Sequence, residues 1–91
     1  MPLSLPERAR RFLLRRQTAY RQTFAPENQG SRIVLADLER FCRARVSTAH
    51  QNPYVAARLD GRREVILCTF DHLYLPNEEL YRLYGALTTE E

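Results

Sequence analysis

The apolar residues Leu5, Ala9, Phe12, Leu13, Ala19, Tyr20 and Phe24 recur at three- and four-residue intervals until Pro26 interrupts them, which predicts a helix over about residues 5–25. Ser4 and Glu7 have the spacing of a capping box at its start. Pro26-Glu27-Asn28-Gln29-Gly30 reads as a turn, after which Ser31 is placed to cap a second helix over about 31–46. Here Val34, Leu35, Leu38, Phe41, Cys42 and Val46 share a face, while Arg32, Asp37, Glu39, Arg40 and Arg43 lie mostly on the others. It is the cleanest amphipathic pattern in the chain.

The period is lost over Ser47–Asn52, and Asn52-Pro53 then reads as an N-cap followed by proline at the first helical position. Asp60-Gly61 also fits a hairpin turn between two short strands. Periodicity decides for a helix over about 53–74: Val55, Leu59, Arg62, Ile66, Phe70 and Leu73 keep helical steps, whereas strict alternation fails at Val65-Ile66-Leu67-Cys68. A glycine inside a helix costs about 1 kcal/mol against alanine, so Gly61 is read as marking close approach by a neighbouring backbone. Pro76 ends this helix. Asn77-Glu78-Glu79 opens a fourth over about 77–87, carrying Leu80, Leu83, Tyr84 and Leu87, with acids where the helix dipole favours them and Gly85 weakening its last turn. The expectation is one all-α domain, a small four-helix bundle or orthogonal helical array centred on the second and third helices.

Ninety-one residues bury a smaller share of their surface than a larger protein does, which makes partners or self-association plausible sources of stability. The 44% apolar and 27% charged content excludes general disorder. No apolar run has the length to span a bilayer, and the first residues lack a secretory pattern, so an intracellular location at synthesis and no membrane partner are expected. The net charge of +3 is unevenly spread: residues 1–63 hold thirteen of the fourteen arginines against five acids, and the remainder holds Arg82 against six acids. Every basic residue is arginine, whose planar fork suits phosphate and carboxylate.

Catalysis needs a nucleophile, a base and an orienting group. Cys42 with His50 or His72 is the one pairing to weigh, and nothing local activates that thiol. Both Cys42 and Cys68 fall on apolar stripes, where a free cysteine acts as a small hydrophobe, and no structural disulfide is implied. Cys68 and His72 share a helical face, but Cys42 and His50 match no zinc knuckle. His50 is read as a loop residue and His72 as a partly exposed helix residue. The glycines at 30, 61 and 85 are too scattered for a phosphate loop. No catalytic residue, metal site or cofactor is therefore expected, and the protein is read as a non-enzyme.

Arg8, Arg11, Arg15 and Arg16, with Arg10, give the first helix a basic surface suited to nucleic-acid phosphates or to acids of a neighbouring chain, and Arg40, Arg43 and Arg45 form a second cluster. Charge alone does not separate these readings. Sequence-specific reading is not expected, because no helix presents the side chains of a recognition helix. Among Tyr74, Tyr81 and Tyr84, Tyr81 is expected to face outward, where tyrosine favours interfaces.

The run Val34-Leu35-Ala36-Asp37-Leu38-Glu39-Arg40-Phe41-Cys42, then Asn52-Pro53 and above all Asp60-Gly61-Arg62-Arg63-Glu64-Val65, resembles the small Bbp19-like proteins of tailed bacteriophages, encoded among head, portal and tail genes. Ala19-Tyr20-Arg21, Phe24, Gly30 and the stretch from Leu75 to Tyr84 fit too, so the resemblance covers about residues 19–84 and leaves out the arginine-rich start. It implies a role in or around the phage particle and supplies no catalytic residues. The expected protein is a small virion or assembly protein of a short-tailed phage, a multi-copy packing subunit near the portal or internal core. It would contact other phage structural proteins and copies of itself through Arg62, Arg63, Glu64, Tyr81 and Tyr84, with Arg8, Arg11 and Arg15 facing packaged DNA or another virion protein. The alternative is a non-virion DNA-binding or regulatory protein using the arginine-rich N-terminal half.

Overall fold

A computed structural model describes the backbone of residues 5–90 and the side chains of 6–85. Ser4 and the side chains of Leu5 and Leu87, assigned above to a capping box and to apolar stripes, lie outside the described residues. The protein is all-α: α1 runs Leu5–Thr23, α2 Gln29–Phe41, α3 Pro53–Tyr74 and α4 Asn77–Glu90, with no strand among the described residues. Two compact units are present, one of α1 with Asp71 onward and one of Phe24–Phe70, so that α3 contributes to both.

In the first unit α1 packs along α4. Its buried stripe is Ala9, Leu13 and Gln17, four residues apart, and Leu80 and Gly85 are buried on α4. Fully burying Leu13 and Leu80 stabilises the unit by roughly 1.5–3 kcal/mol each. Phe12, expected on the packed face, is half exposed. The corner between α3 and α4 follows from Leu75-Pro76, because proline disfavours helical backbone at the residue before it. The Leu75 carbonyl there accepts from Gln17 Nε2 at 2.7 Å and from Arg21 Nη2 at 3.2 Å. Those two side chains stand one turn apart on α1, so a single face of α1 holds the corner.

In the second unit α2 starts earlier than the Ser31 cap predicts. Asn28 is the N-cap, extended at φ −94 and ψ 116, and its Oδ1 accepts from the Ser31 amide at 3.1 Å. Ser31 is thus the third residue of the helix and receives the cap. The helix also ends at Phe41 rather than Val46. Arg43 adopts left-handed backbone at φ 56, its amide donates to the Arg40 carbonyl at 3.2 Å, and the Ala44 amide reaches the Glu39 carbonyl at 3.0 Å. These two bonds make a Schellman ending with arginine where glycine is usual. The absence of that glycine signal is why the apolar pattern alone carries the predicted helix five residues too far.

The start of α3 agrees with expectation, since Asn52 Oδ1 accepts from the Tyr54 amide at 2.9 Å ahead of Pro53. The helix continues through Gly61, and Ile66 is buried while Val55, Leu59, Arg62 and Phe70 are half-buried. Close approach at Gly61 is not observed: a Cβ built there meets nothing within 4 Å. At Gly85, by contrast, a Cβ would lie 2.9 Å from Tyr81 Cε2, so the glycine read as a weakness makes room for that ring.

Candidate interaction surfaces

The arginines of α1 divide into two groups. Arg10 Nη1 meets Glu78 Oε1 at 3.0 Å, and its guanidinium lies 4.1 Å from the centre of the Tyr81 ring. Tyr81 is therefore half-buried between Arg10 and Gly85 instead of facing outward. Arg16 Nε donates to His72 Nε2 at 3.1 Å, and Arg21 serves the Leu75 carbonyl. Arg8, Arg11 and Arg15 are different. They are exposed on the side of α1 opposite Ala9, Leu13 and Gln17, and none has an ion-pair or hydrogen-bond partner among the described residues.

His72 is a correction to the sequence reading, being 1% exposed. The Tyr20 ring stacks on it at 4.4 Å between centroids and 22° between planes, and the Tyr84 ring lies 5.3 Å away. Tyr84 in turn donates to Asp71 Oδ2 at 2.7 Å. To accept from a guanidinium, His72 must present a lone pair at Nε2. The arrangement satisfies a buried polar ring by stacking and hydrogen bonding, which is a packing role. Among the described residues no three His, Cys, Asp or Glu side chains converge as metal ligands, and both cysteines are free thiols.

Gln17 and the Arg10–Tyr81 contact were not singled out from the sequence. The four-residue step from Ala9 through Leu13 extends to Gln17, a signal that a strictly apolar count passes over. Arg10 sits beside exposed arginines in sequence, but the helical turn directs it toward α4.

In the second unit the Arg62 guanidinium lies 4.3 Å from the Phe41 ring centre, a cation–π contact worth about 0.5–1 kcal/mol at an exposed site. Arg63 is half-buried and Glu64 exposed. Arg40 pairs with Asp37, Arg43 donates to the Ser47 carbonyl at 2.6 Å, and Thr48 donates to Asp60. His50 lies in the loop as expected, its Nδ1 accepting from the Asn52 amide at 3.0 Å. Cys42 is buried and Cys68 half-buried. Most telling is the helix with the strongest apolar face, α2, which buries no residue at all. Ile33, Val34 and Phe41 are each more than half exposed, as are Tyr54 and Val65 on α3.

No helix among the described residues is long and apolar enough to cross a membrane. The family model described as Bbp19-like phage protein matches residues 20–83. The match takes in α2, α3 and the first half of α4, and stops short of Arg8, Arg11, Arg15 and Arg16. No curated protein and no solved structure matches the chain.

Proposed function

The chain belongs to the Bbp19-like phage proteins, and from that premise we propose that it is a small virion or assembly protein, present in several copies near the portal or internal core. It acts by protein–protein contact and not by catalysis, its partners are other phage structural proteins and further copies of itself, and its destination after synthesis in the host is the particle. The observation that carries this reading is α2, an amphipathic helix inside the matched segment that exposes Ile33, Val34 and Phe41. Several large apolar side chains exposed along one helix of so small a protein are characteristic of an interaction surface. Arg62, held over Phe41, and the neighbouring Arg63 and Glu64 form the polar rim that such patches carry. Head-to-tail attraction between opposite charges contributes less, because Glu78 and Glu79 of α4 already face Arg10 and Arg82 of their own chain.

Quantitative mass spectrometry of purified infectious particles tests the reading by comparing copy number with that of the portal protein. A fixed ratio at the portal's ring number or a multiple of it is expected. Absence from particles and from assembly intermediates sinks the proposal.

A further inference from the structure

We propose that the outer face of α1 is a contact surface for the phosphates of double-stranded DNA, formed by Arg8, Arg11 and Arg15 with Phe12 beside them. The inference does not depend on placing the protein in the particle, and it concerns residues outside the segment matched by the family.

The argument begins with how the fold distributes its arginines. Arg10, Arg16 and Arg21 are turned toward Glu78, His72 and the Leu75 carbonyl, where they support the packing of α1. Arg8, Arg11 and Arg15 occupy the opposite face, exposed and without a partner among the described residues. No ion pair among the described residues offsets the mutual repulsion of these three cations within two helical turns, which leaves their guanidinium groups available to a ligand outside the chain. At helical rise they stand about 4.5 and 6 Å apart along the axis, one row of forked donors.

The nature of the ligand follows from charge. A second copy of this chain offers no matching row of acids among the described residues: Glu78 pairs with Arg10, Glu79 with Arg82, Asp37 with Arg40, Asp71 accepts from Tyr84, and the exposed Glu27 and Glu64 lie on separate segments. Duplex DNA instead presents a phosphate charge about every 1.7 Å of axis, dense enough for all three guanidinium groups to be engaged together. Beside the row lies an open hollow lined by Phe12, Arg15 and Arg16, and Phe12 is half exposed at its edge. A phosphate seated there is reached by Arg15, while Phe12 supplies apolar contact to a sugar. Contacts to phosphate carry no sequence information, so the binding is independent of sequence.

Fluorescence anisotropy with a labelled random-sequence duplex tests this on the full chain. Three phosphate contacts give a slope of log affinity against log salt of about −2.7, or roughly a forty-fold loss between 50 and 200 mM salt. The triple variant R8A/R11A/R15A is expected to bind at least ten-fold more weakly with a slope near zero, and R8K/R11K/R15K to keep most of the slope. The charge-matched variant R40A/R45A/R58A, which alters exposed arginines of the other unit, is expected to stay within about three-fold of wild type, with far-ultraviolet circular dichroism confirming the helices of each variant. The proposal is overturned by the absence of salt-sensitive duplex binding, by wild-type affinity in R8A/R11A/R15A, or by an equal loss in the charge-matched variant. Tighter binding to poly-glutamate than to the duplex at equal charge concentration also overturns it, and assigns the face to an acidic protein.

Discussion

Replacing Gln17 separates hydrogen bonding from volume at the corner between α3 and α4. Its side chain is 2% exposed and its amide donates to the Leu75 carbonyl at 2.7 Å. Gln17→Leu keeps the volume and removes the donor; the carbonyl retains Arg21 at 3.2 Å, so the cost is close to one net hydrogen bond, about 1 kcal/mol. Gln17→Ala loses the same bond and leaves a cavity between α1 and the corner, which raises the cost to about 2–3 kcal/mol. Gln17→Glu buries a carboxylate against a carbonyl oxygen and costs more than about 3 kcal/mol, or folds only with the acid neutralised. Urea unfolding followed by far-ultraviolet circular dichroism gives the order directly. The expected ranking of destabilisation is Glu, then Ala, then Leu. If Gln17→Leu proves as damaging as Gln17→Ala, the site is not a filled cavity; if Gln17→Glu matches wild type, Gln17 is not buried against Leu75, and the reasoning is wrong.

Three further predictions use the same measurement. Asn28→Ala should cost about 1 kcal/mol through loss of the α2 cap and Ser31→Ala clearly less; the reverse order would restore Ser31 as the cap. Arg43→Val, which forces a β-branched residue into left-handed backbone and removes the bonds to Ser47, should destabilise by about 1–2 kcal/mol, whereas Arg43→Gly should be close to neutral because relief of strain offsets those lost bonds. Gly85→Ala should gain nothing in the wild type, where the new Cβ meets the Tyr81 ring, but should stabilise a Tyr81→Ala background by about 1 kcal/mol. Equal effects of Gly85→Ala in both backgrounds would show that the ring does not occupy that space.

What was legible in the sequence was local. Helical periodicity, two prolines and an Asn-Pro pair determined that there are four helices and where α3 begins, because the period of side-chain direction, the missing amide of proline and the side-chain cap all act within a few residues. The same short range explains the errors at α2. Asn28 and Ser31 are both chemically competent caps, and Arg43 takes a conformation that its side chain does not favour, so neither boundary is written in residue type. The family was legible too, carried by a run of motifs from α2 to α4.

Tertiary structure decided which polar residues are buried and which charges are used. Gln17 and His72 are buried because distant segments bring them a carbonyl, an arginine and two tyrosine rings. No periodicity announces Leu75 as the partner of Gln17, or Arg16 and Tyr20 as partners of His72, each more than fifty residues away. The arginines of α1 are indistinguishable as a list, yet the direction of each Cβ around the helix and the position of α4 send Arg10 to Glu78 and leave Arg8, Arg11 and Arg15 in solvent. Gly61 and Gly85 make the same point: either glycine within a helix has one backbone cost, but only at Gly85 does a ring fill the space that a Cβ would take, because that depends on what packs there.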